Sequence, residues 1–222
     1  MRILRSFYWK FYVKLFPNIV VLLRREFEGC KSFLDLGCGK ESPVKYFSNE
    51  FSSVGVDVYE PYITESRSKG IHNKYFLMDV RKLKFKPKSF DIVLALDLIE
   101  HLTKKEGERL LGEMERIAKK KVIVFTPNGL FCDEMRDENV HQIHKCGWTV
   151  SEMRERGYRV VGINGIKLLR GRGKLAHLQG KDGISHYAHY FWWFISDITQ
   201  VFAYHFPEHA FQMLCVKDVG KK

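Results

Sequence analysis

The chain has 222 residues, 45% of them hydrophobic, and carries 37 basic against 26 acidic residues for a net charge of +11. That length fits one domain with attachments, and the apolar content suffices for a core, which excludes global disorder. The charge brings anionic partners into view, whether nucleic acid, a phosphorylated substrate or an anionic membrane surface, although runs such as Lys119-Lys120-Lys121 also read as solvated surface.

At the N-terminus, Ile3, Phe7, Phe11 and Leu15 recur at helical spacing among Arg2, Arg5, Lys10 and Lys14. The pattern predicts an amphipathic helix that stops near Pro17 and a second helical run from Ile19 to Phe27. Residues 1–29 are expected to cap or pack on the domain that follows, with a membrane surface as the alternative contact. Lys10, Lys14 and Pro17 interrupt any apolar run of the kind a secretory signal needs. The cysteines Cys30, Cys38, Cys132, Cys146 and Cys215 contain no Cys-x-x-Cys pair. This argues against a structural zinc site and for a reducing, cytoplasmic setting.

The next stretch, Phe33-Leu34-Asp35-Leu36-Gly37-Cys38-Gly39-Lys40-Glu41-Ser42-Pro43, reads as a buried strand, a glycine turn and a helix start. Two glycines let the backbone turn sharply and approach a nucleotide-like ligand closely. No Gly-Lys-Ser/Thr follows, which excludes a Walker loop, and Ser42 stands where a dinucleotide fingerprint has its third glycine. The Asp35 carboxylate before the first glycine would repel a pyrophosphate but suits a ligand bearing an ammonium and a sulfonium. Here the sequence resembles the class I S-adenosylmethionine-dependent methyltransferases, whose first motif is an acidic residue followed by Gly-x-Gly.

The alternation continues in order. Ser32–Leu36 is the first predicted strand, Pro43–Glu50 a helix and Ser53–Asp57 the second strand. A helix near 61–69 precedes a third strand over Lys74–Met78. Phe90–Leu96 is the clearest buried parallel strand. Thr103–Lys119 is an amphipathic helix with Thr103 and Glu106 at capping-box spacing, and Lys121–Thr126 is the fifth strand. Beyond Pro127-Asn128-Gly129 come a polar loop, a short helix over Ser151–Arg156, a strand over Tyr158–Ile166, a basic glycine-rich loop over Leu168–Ser185, an aromatic helical stretch over His186–Phe206 and a last strand over Ala210–Val216. The expected fold is α/β: a Rossmann-like doubly wound sheet of about seven strands, mostly parallel with an antiparallel last strand, plus N-terminal helices. The domain is expected to span residues 30–222, with a basic and aromatic insertion at about 168–206.

In such a sheet the ligand lies beyond the carboxyl ends of the strands. Asp57 ends the second strand, where a carboxylate can accept hydrogen bonds from ribose hydroxyls, and Asp79 follows the third. The methyltransferase resemblance implies that Asp79 contacts the adenine, that Asp97 faces the cofactor, and that Asp35, Gly37, Cys38, Gly39, Val58, Val80 and Leu96 complete the cofactor set. His101, in Asp97-Leu98-Ile99-Glu100-His101, is the expected catalytic residue, a general base toward the acceptor. The same segment is similar to the acidic-x-x-Glu-His segment that ubiquinone-pathway O-methyltransferases link to a divalent metal. Asp at its first position shortens the reach, so no metal is included in the expected site. His141 and His144 are expected to contact substrate. Their His-x-x-His-x-Cys spacing with Cys146 reads as loop histidines rather than a metal set.

The resemblance implies in-line methyl transfer from S-adenosyl-L-methionine to a small, hydrophobic or anionic acceptor. The alternative is a cofactor-binding module without catalysis at a membrane surface or a protein partner. A dinucleotide oxidoreductase is disfavoured by the missing glycine, and a nucleic-acid substrate by the lack of an Asn/Asp-Pro-Pro-aromatic motif after the fourth strand. The aromatic stretch Tyr187–Phe206 is interrupted by His189, Asp197, Gln200 and His205, which argues against a membrane span. It is expected to line an apolar pocket or a homodimer face, or to contribute a peripheral membrane contact.

Overall fold

The computed structural model describes residues 18–130, 139–170 and 198–220. A seven-stranded sheet runs through it in the order β3-β2-β1-β4-β5-β7-β6. The strands are β1 (Ser32–Leu36), β2 (Ser52–Asp57), β3 (Lys74–Leu77), β4 (Phe90–Leu96), β5 (Ala118–Pro127), β6 (Arg159–Ile166) and β7 (Ala210–Asp218). The first five pair in parallel, and β7 lies antiparallel between β5 and β6. The helices are α1 (Ile19–Glu26), α2 (Glu60–Ser68), α3 (Lys104–Ile117), α4 (Val150–Glu155), α5 (Lys167–Arg170) and α6 (Gln200–His205).

Both faces of the sheet are covered, which explains why its central strands read as unbroken apolar runs. Successive side chains of a strand point to opposite faces, and β4 divides accordingly. Val93 and Ala95 join Leu34, Leu36, Val122 and Val124 against Leu110, Leu111, Met114 and Ile117 of α3 and against Trp148. Ile92, Leu94 and Leu96 face the other way, toward Phe33, Phe47, Leu22, Leu23 and Phe27. There Phe27 meets Phe33, Phe47 and Phe51 edge-on at centroid distances of 5.1, 5.0 and 5.0 Å. Residues 19–27 therefore pack on the sheet as the helical spacing predicted, with Asn18 capping α1 through the Val21 amide. The helix expected over residues 2–16 lies outside the described residues.

Three sequence expectations change. The helix expected over Pro43–Glu50 is two 3-10 turns, Pro43–Tyr46 and Ser48–Glu50, because Phe47 leaves helical geometry at φ −150° to bury its ring. β5 starts earlier, at Ala118, which pairs with Phe90 across a register shift. Lys167–Arg170 is helical where a loop was expected, whereas 171–185 and the first part of the aromatic stretch, 186–197, lie outside the described residues. Of that stretch, Gln200–His205 is helical as expected. The expected capping box of α3 forms: the Thr103 hydroxyl accepts from the Glu106 amide, and the Glu106 carboxylate accepts from the Thr103 amide. Among the described residues no helix is long and apolar enough to cross a membrane.

Trp148 is fully buried between α3 and the sheet. Its Nε1 reaches toward the Ile99 carbonyl at 3.4 Å, and the Lys104 ammonium lies 3.7 Å from its ring centre. Trp148→Ala is expected to lower stability by about 3–5 kcal/mol, read as an earlier urea midpoint with an unchanged slope.

Candidate active site

At the carboxyl ends of β1, β2 and β4 the chain turns three times into left-handed backbone or a bound carboxylate. Gly37 has φ +65° and Gly39 φ +55°. A Cβ on Gly37 would meet Leu98 Cδ1 at 2.7 Å, so this position needs glycine for both its conformation and its space. Asp97 also adopts a left-handed conformation, φ 49°, one that aspartate tolerates better than most residues. Its amide donates to the Phe125 carbonyl at 2.8 Å, and its Oδ1 accepts from Gln212 Nε2 at 3.0 Å.

Asp57 ends β2 with both carboxylate oxygens engaged. Oδ2 accepts from the Gly39 amide and Oδ1 from the Tyr59 amide, each at 2.9 Å. Burial raises its pKa despite these amides, and the charge is held close to the glycine turn. Asp79 caps the turn after β3 through the Arg81 amide and pairs with the Arg81 guanidinium at 2.6 Å, which lowers its pKa.

These residues surround one open cleft of about 710 Å³, its mouth included. Gly37, Gly39, Asp57, Val58, Asp79, Val80 and Asp97 line it, together with His101 and His141. The structure thus brings together most of the residues singled out from the sequence. Asp35, Cys38 and Leu96 stand behind the lining. Asp35 is buried within β1, where its Oδ2 accepts from the Ser42 hydroxyl at 2.7 Å and lies 3.0 Å from His72 Nε2. Among the described residues its Oδ1 and His72 Nδ1 have no hydrogen-bond partner. Cys38 is buried, and burial with Asp35 and Asp57 nearby pushes its thiol pKa up, so it remains protonated and unreactive.

The far wall comes from the loop after β5. The Lys145 and Cys146 amides donate to the Glu100 carbonyl at 2.8 and 3.2 Å. The Cys146 thiol and Trp148 Nε1 both approach the Ile99 carbonyl. The loop is thereby stitched to the turn that follows β4, and His144 arrives beside His101 with ring centroids 4.9 Å apart. Sequence reasoning kept these two segments apart. His144 itself does not line the cleft, whereas Arg81, Asn139, Gln142 and Lys145, which it missed, do. His72 was missed too; the signal was a carboxylate in a buried strand, which requires a nearby polar partner.

His101 is half-buried. Burial, then His144, holds its pKa at about 4, so it is a neutral imidazole at physiological pH and a weak proton acceptor. Glu100 is buried at 2% exposure, and burial and Asp97 raise its pKa well above the usual carboxylate range. Its Oε2 accepts from the Thr126 hydroxyl at 3.0 Å. One ligand atom from each of Glu100, His101 and His144 lies within 4.8 Å of the others, a spacing compatible with a metal ion.

Residues 34–126, from β1 through β5, match the protein-family model described as Methyltransferase domain. Over those residues the chain is similar to the methyltransferase family. The cofactor expected from the sequence is S-adenosylmethionine. The uncharacterized protein MJ0638 of Methanocaldococcus jannaschii is 24% identical over 189 residues, 76% of this chain and 80% of that protein. In fold, the chain is similar to phosphoethanolamine N-methyltransferase 2 of Haemonchus contortus, solved with S-adenosyl-L-methionine, at 16% identity and a TM-score of 0.57. That likeness covers 91% of this chain, which spans about half, 52%, of the Haemonchus enzyme. A chain in the complex of the Haloferax volcanii Trm112 methyltransferase activator is similar at 15% identity and a TM-score of 0.56, over 99% of this chain and 93% of that one.

The cleft suits this cofactor. Glycines leave its floor free of side chains, and carboxylates stand at the ends of β2, β3 and β4. Gly37→Ala is expected to strain the turn and push Leu98 out of place. Calorimetry should show S-adenosylmethionine affinity reduced at least tenfold, with the far-ultraviolet circular dichroism of the fold retained.

Proposed function

We propose that this chain transfers a methyl group from S-adenosylmethionine to a small anionic acceptor. The observation that supports the acceptor class is Lys145. It lines the cleft beside His101, His141 and Gln142, and among the described residues its ammonium has no ion-pair partner. The other cation of the lining, Arg81, is already engaged by Asp79 and Glu106. A phosphate or carboxylate on the acceptor would therefore find Lys145 available.

Bound S-adenosylmethionine supplies an electrophilic methyl group on a sulfonium, which in-line attack by the acceptor converts to a thioether while the acceptor sheds a proton. The protein's contribution is orientation. Asp57 holds the glycine turn in register and offers its carboxylate to the ribose. Asp79 borders the adenine side, and Asp97 borders the methionine side. His101, neutral and weakly basic, is assigned lone-pair donation on the acceptor side, a weaker part than the general-base role expected from the sequence.

The test is calorimetric titration of S-adenosylmethionine into the wild type and Asp57→Ala, followed by assay of S-adenosylhomocysteine release with paired acceptors that differ only in a phosphate or carboxylate. Expected are wild-type binding, a loss of at least tenfold in the variant, about 1.4 kcal/mol, and turnover of the anionic member of a pair. Lys145→Ala should raise KM for that acceptor about tenfold and leave cofactor affinity unchanged. Absence of cofactor binding by folded wild type would overturn the reaction; equal turnover of neutral and anionic acceptors would overturn the acceptor class.

A further inference from the structure

We propose that Gln212 is a positioning residue for the methionine end of the cofactor: its side-chain amide, oriented by Asn164, fixes the Asp97 carboxylate before the ligand arrives. The proposal rests on the reading of the cleft as an S-adenosylmethionine site and concerns two residues that stand outside the cleft lining.

The relay is anchored at Asp97, an exposed lining residue in left-handed backbone at φ 49°. A carboxylate on an exposed turn has several rotamers open to it, and only some of them aim at one ligand atom. Gln212 Nε2 donates to its Oδ1 at 3.0 Å. A carboxylate accepts hydrogen bonds and has none to give, so Gln212 presents its NH₂ group there and its Oε1 faces the other way. That oxygen accepts from Asn164 Nδ2. Each amide thus has one useful orientation, dictated from the charged end of the chain.

A second observation explains how Asn164 comes to be there. Ile163 pairs with Gln212 and Ile166 with Ala210, so β6 holds one residue more than β7 between these pairs, a β-bulge. Asn164 has φ +66° and Gly165 φ +71° in it, a conformation that asparagine and glycine accept better than other residues. α6 imposes the bulge. The buried Gln200 donates from Nε2 to the Gly162 carbonyl at 3.0 Å and accepts from the Gly165 amide at 2.9 Å. Beside it the Thr199 hydroxyl accepts from the Ile166 amide at 3.2 Å. A bulge re-aims the side chain it carries, and this one turns the Asn164 amide to Gln212, which stands on β7 between Pro127 of β5 and Ile163 of β6.

Hydrogen bonds among partly exposed side chains add little to folding stability. Holding one rotamer ready, however, removes an ordering cost from ligand binding. The relay ends on the methionine side alone, while the ribose and adenine sides rest on Asp57 and Asp79, whose partners are Gly39, Tyr59 and Arg81.

The test is calorimetry on the full chain with S-adenosylmethionine and with methylthioadenosine, which keeps the adenosine and the sulfur but lacks the amino-acid end. Gln212→Leu is expected to weaken S-adenosylmethionine about fivefold, the worth of one hydrogen bond, and to leave methylthioadenosine within about twofold of wild type. Asn164→Asp keeps a residue that tolerates left-handed backbone but turns the Gln212 amide round, setting its oxygen against Asp97. Asn164→Gly keeps the backbone and leaves Gln212 able to donate. The aspartate variant should therefore lose more S-adenosylmethionine affinity than the glycine variant, a ranking that a purely structural role for Asn164 would reverse or level. Circular dichroism checks the fold of each variant. Equal losses for both ligands in Gln212→Leu, no loss of S-adenosylmethionine, or Asn164→Gly as weak as Asn164→Asp would overturn the relay and leave the cofactor reading standing. Folded wild type that binds neither ligand would overturn the cofactor reading, and the relay with it.

Discussion

The carboxylate of Asp57 accepts one hydrogen bond from Gly39 and another from Tyr59, and so fastens the glycine turn of one strand to the end of its neighbour. Much else hangs on that arrangement. Gly37 must be left-handed for the turn to reach Asp57, and the space its missing side chain leaves is taken by Leu98 from the end of β4. Beneath the same turn, Ser42 and His72 hold the Asp35 carboxylate. The ends of β1, β2 and β4 therefore form one unit, and the cleft keeps its shape because its floor is backbone held by buried carboxylates.

The opposite wall is secured differently. One carbonyl, that of Glu100, accepts two amides from the loop after β5, and the neighbouring Ile99 carbonyl is approached by a thiol and an indole. Trp148 anchors this loop in the core, and Lys104 covers its ring while donating to the Gly147 carbonyl. The histidines are placed as a consequence of main-chain geometry. A polar cluster held this way is preorganised, because the cost of gathering its members is met by the fold before any ligand arrives.

The parts of the fold that could be read from the sequence are those governed by local pattern. The apolar runs of β1, β2 and β4 announced strands covered on both faces, and Thr103 with Glu106 announced the start of α3. Asp57, Asp79 and Asp97 could be placed at strand ends because strand ends are where the chain changes from apolar to polar. What escaped depends on contacts between distant segments. The ring of Phe47 finds a pocket among Phe27 and Phe51 and breaks the expected helix into two turns. Asp35 looked like a ligand-facing residue from its motif, yet its partners, Ser42 and His72, are buried with it. The meeting of His144 with Glu100 and His101 was invisible for the same reason: no periodicity records which carbonyl a loop will bind.

The far edge of the sheet carries one more consequence. Gly162 in β6 lies so close to α6 that a Cβ there would meet the Ala203 carbonyl oxygen at 2.0 Å. The Gly165 and Ile166 amides donate to the side chains of Gln200 and Thr199, and Ile166 pairs with Ala210. The chain thus leaves the sheet near residue 166 and is received again near residue 199 at points joined by hydrogen bonds. A tether closed this firmly makes the length between its ends almost free to vary, since each doubling of a closed loop adds only about 0.6 kcal/mol of entropic cost.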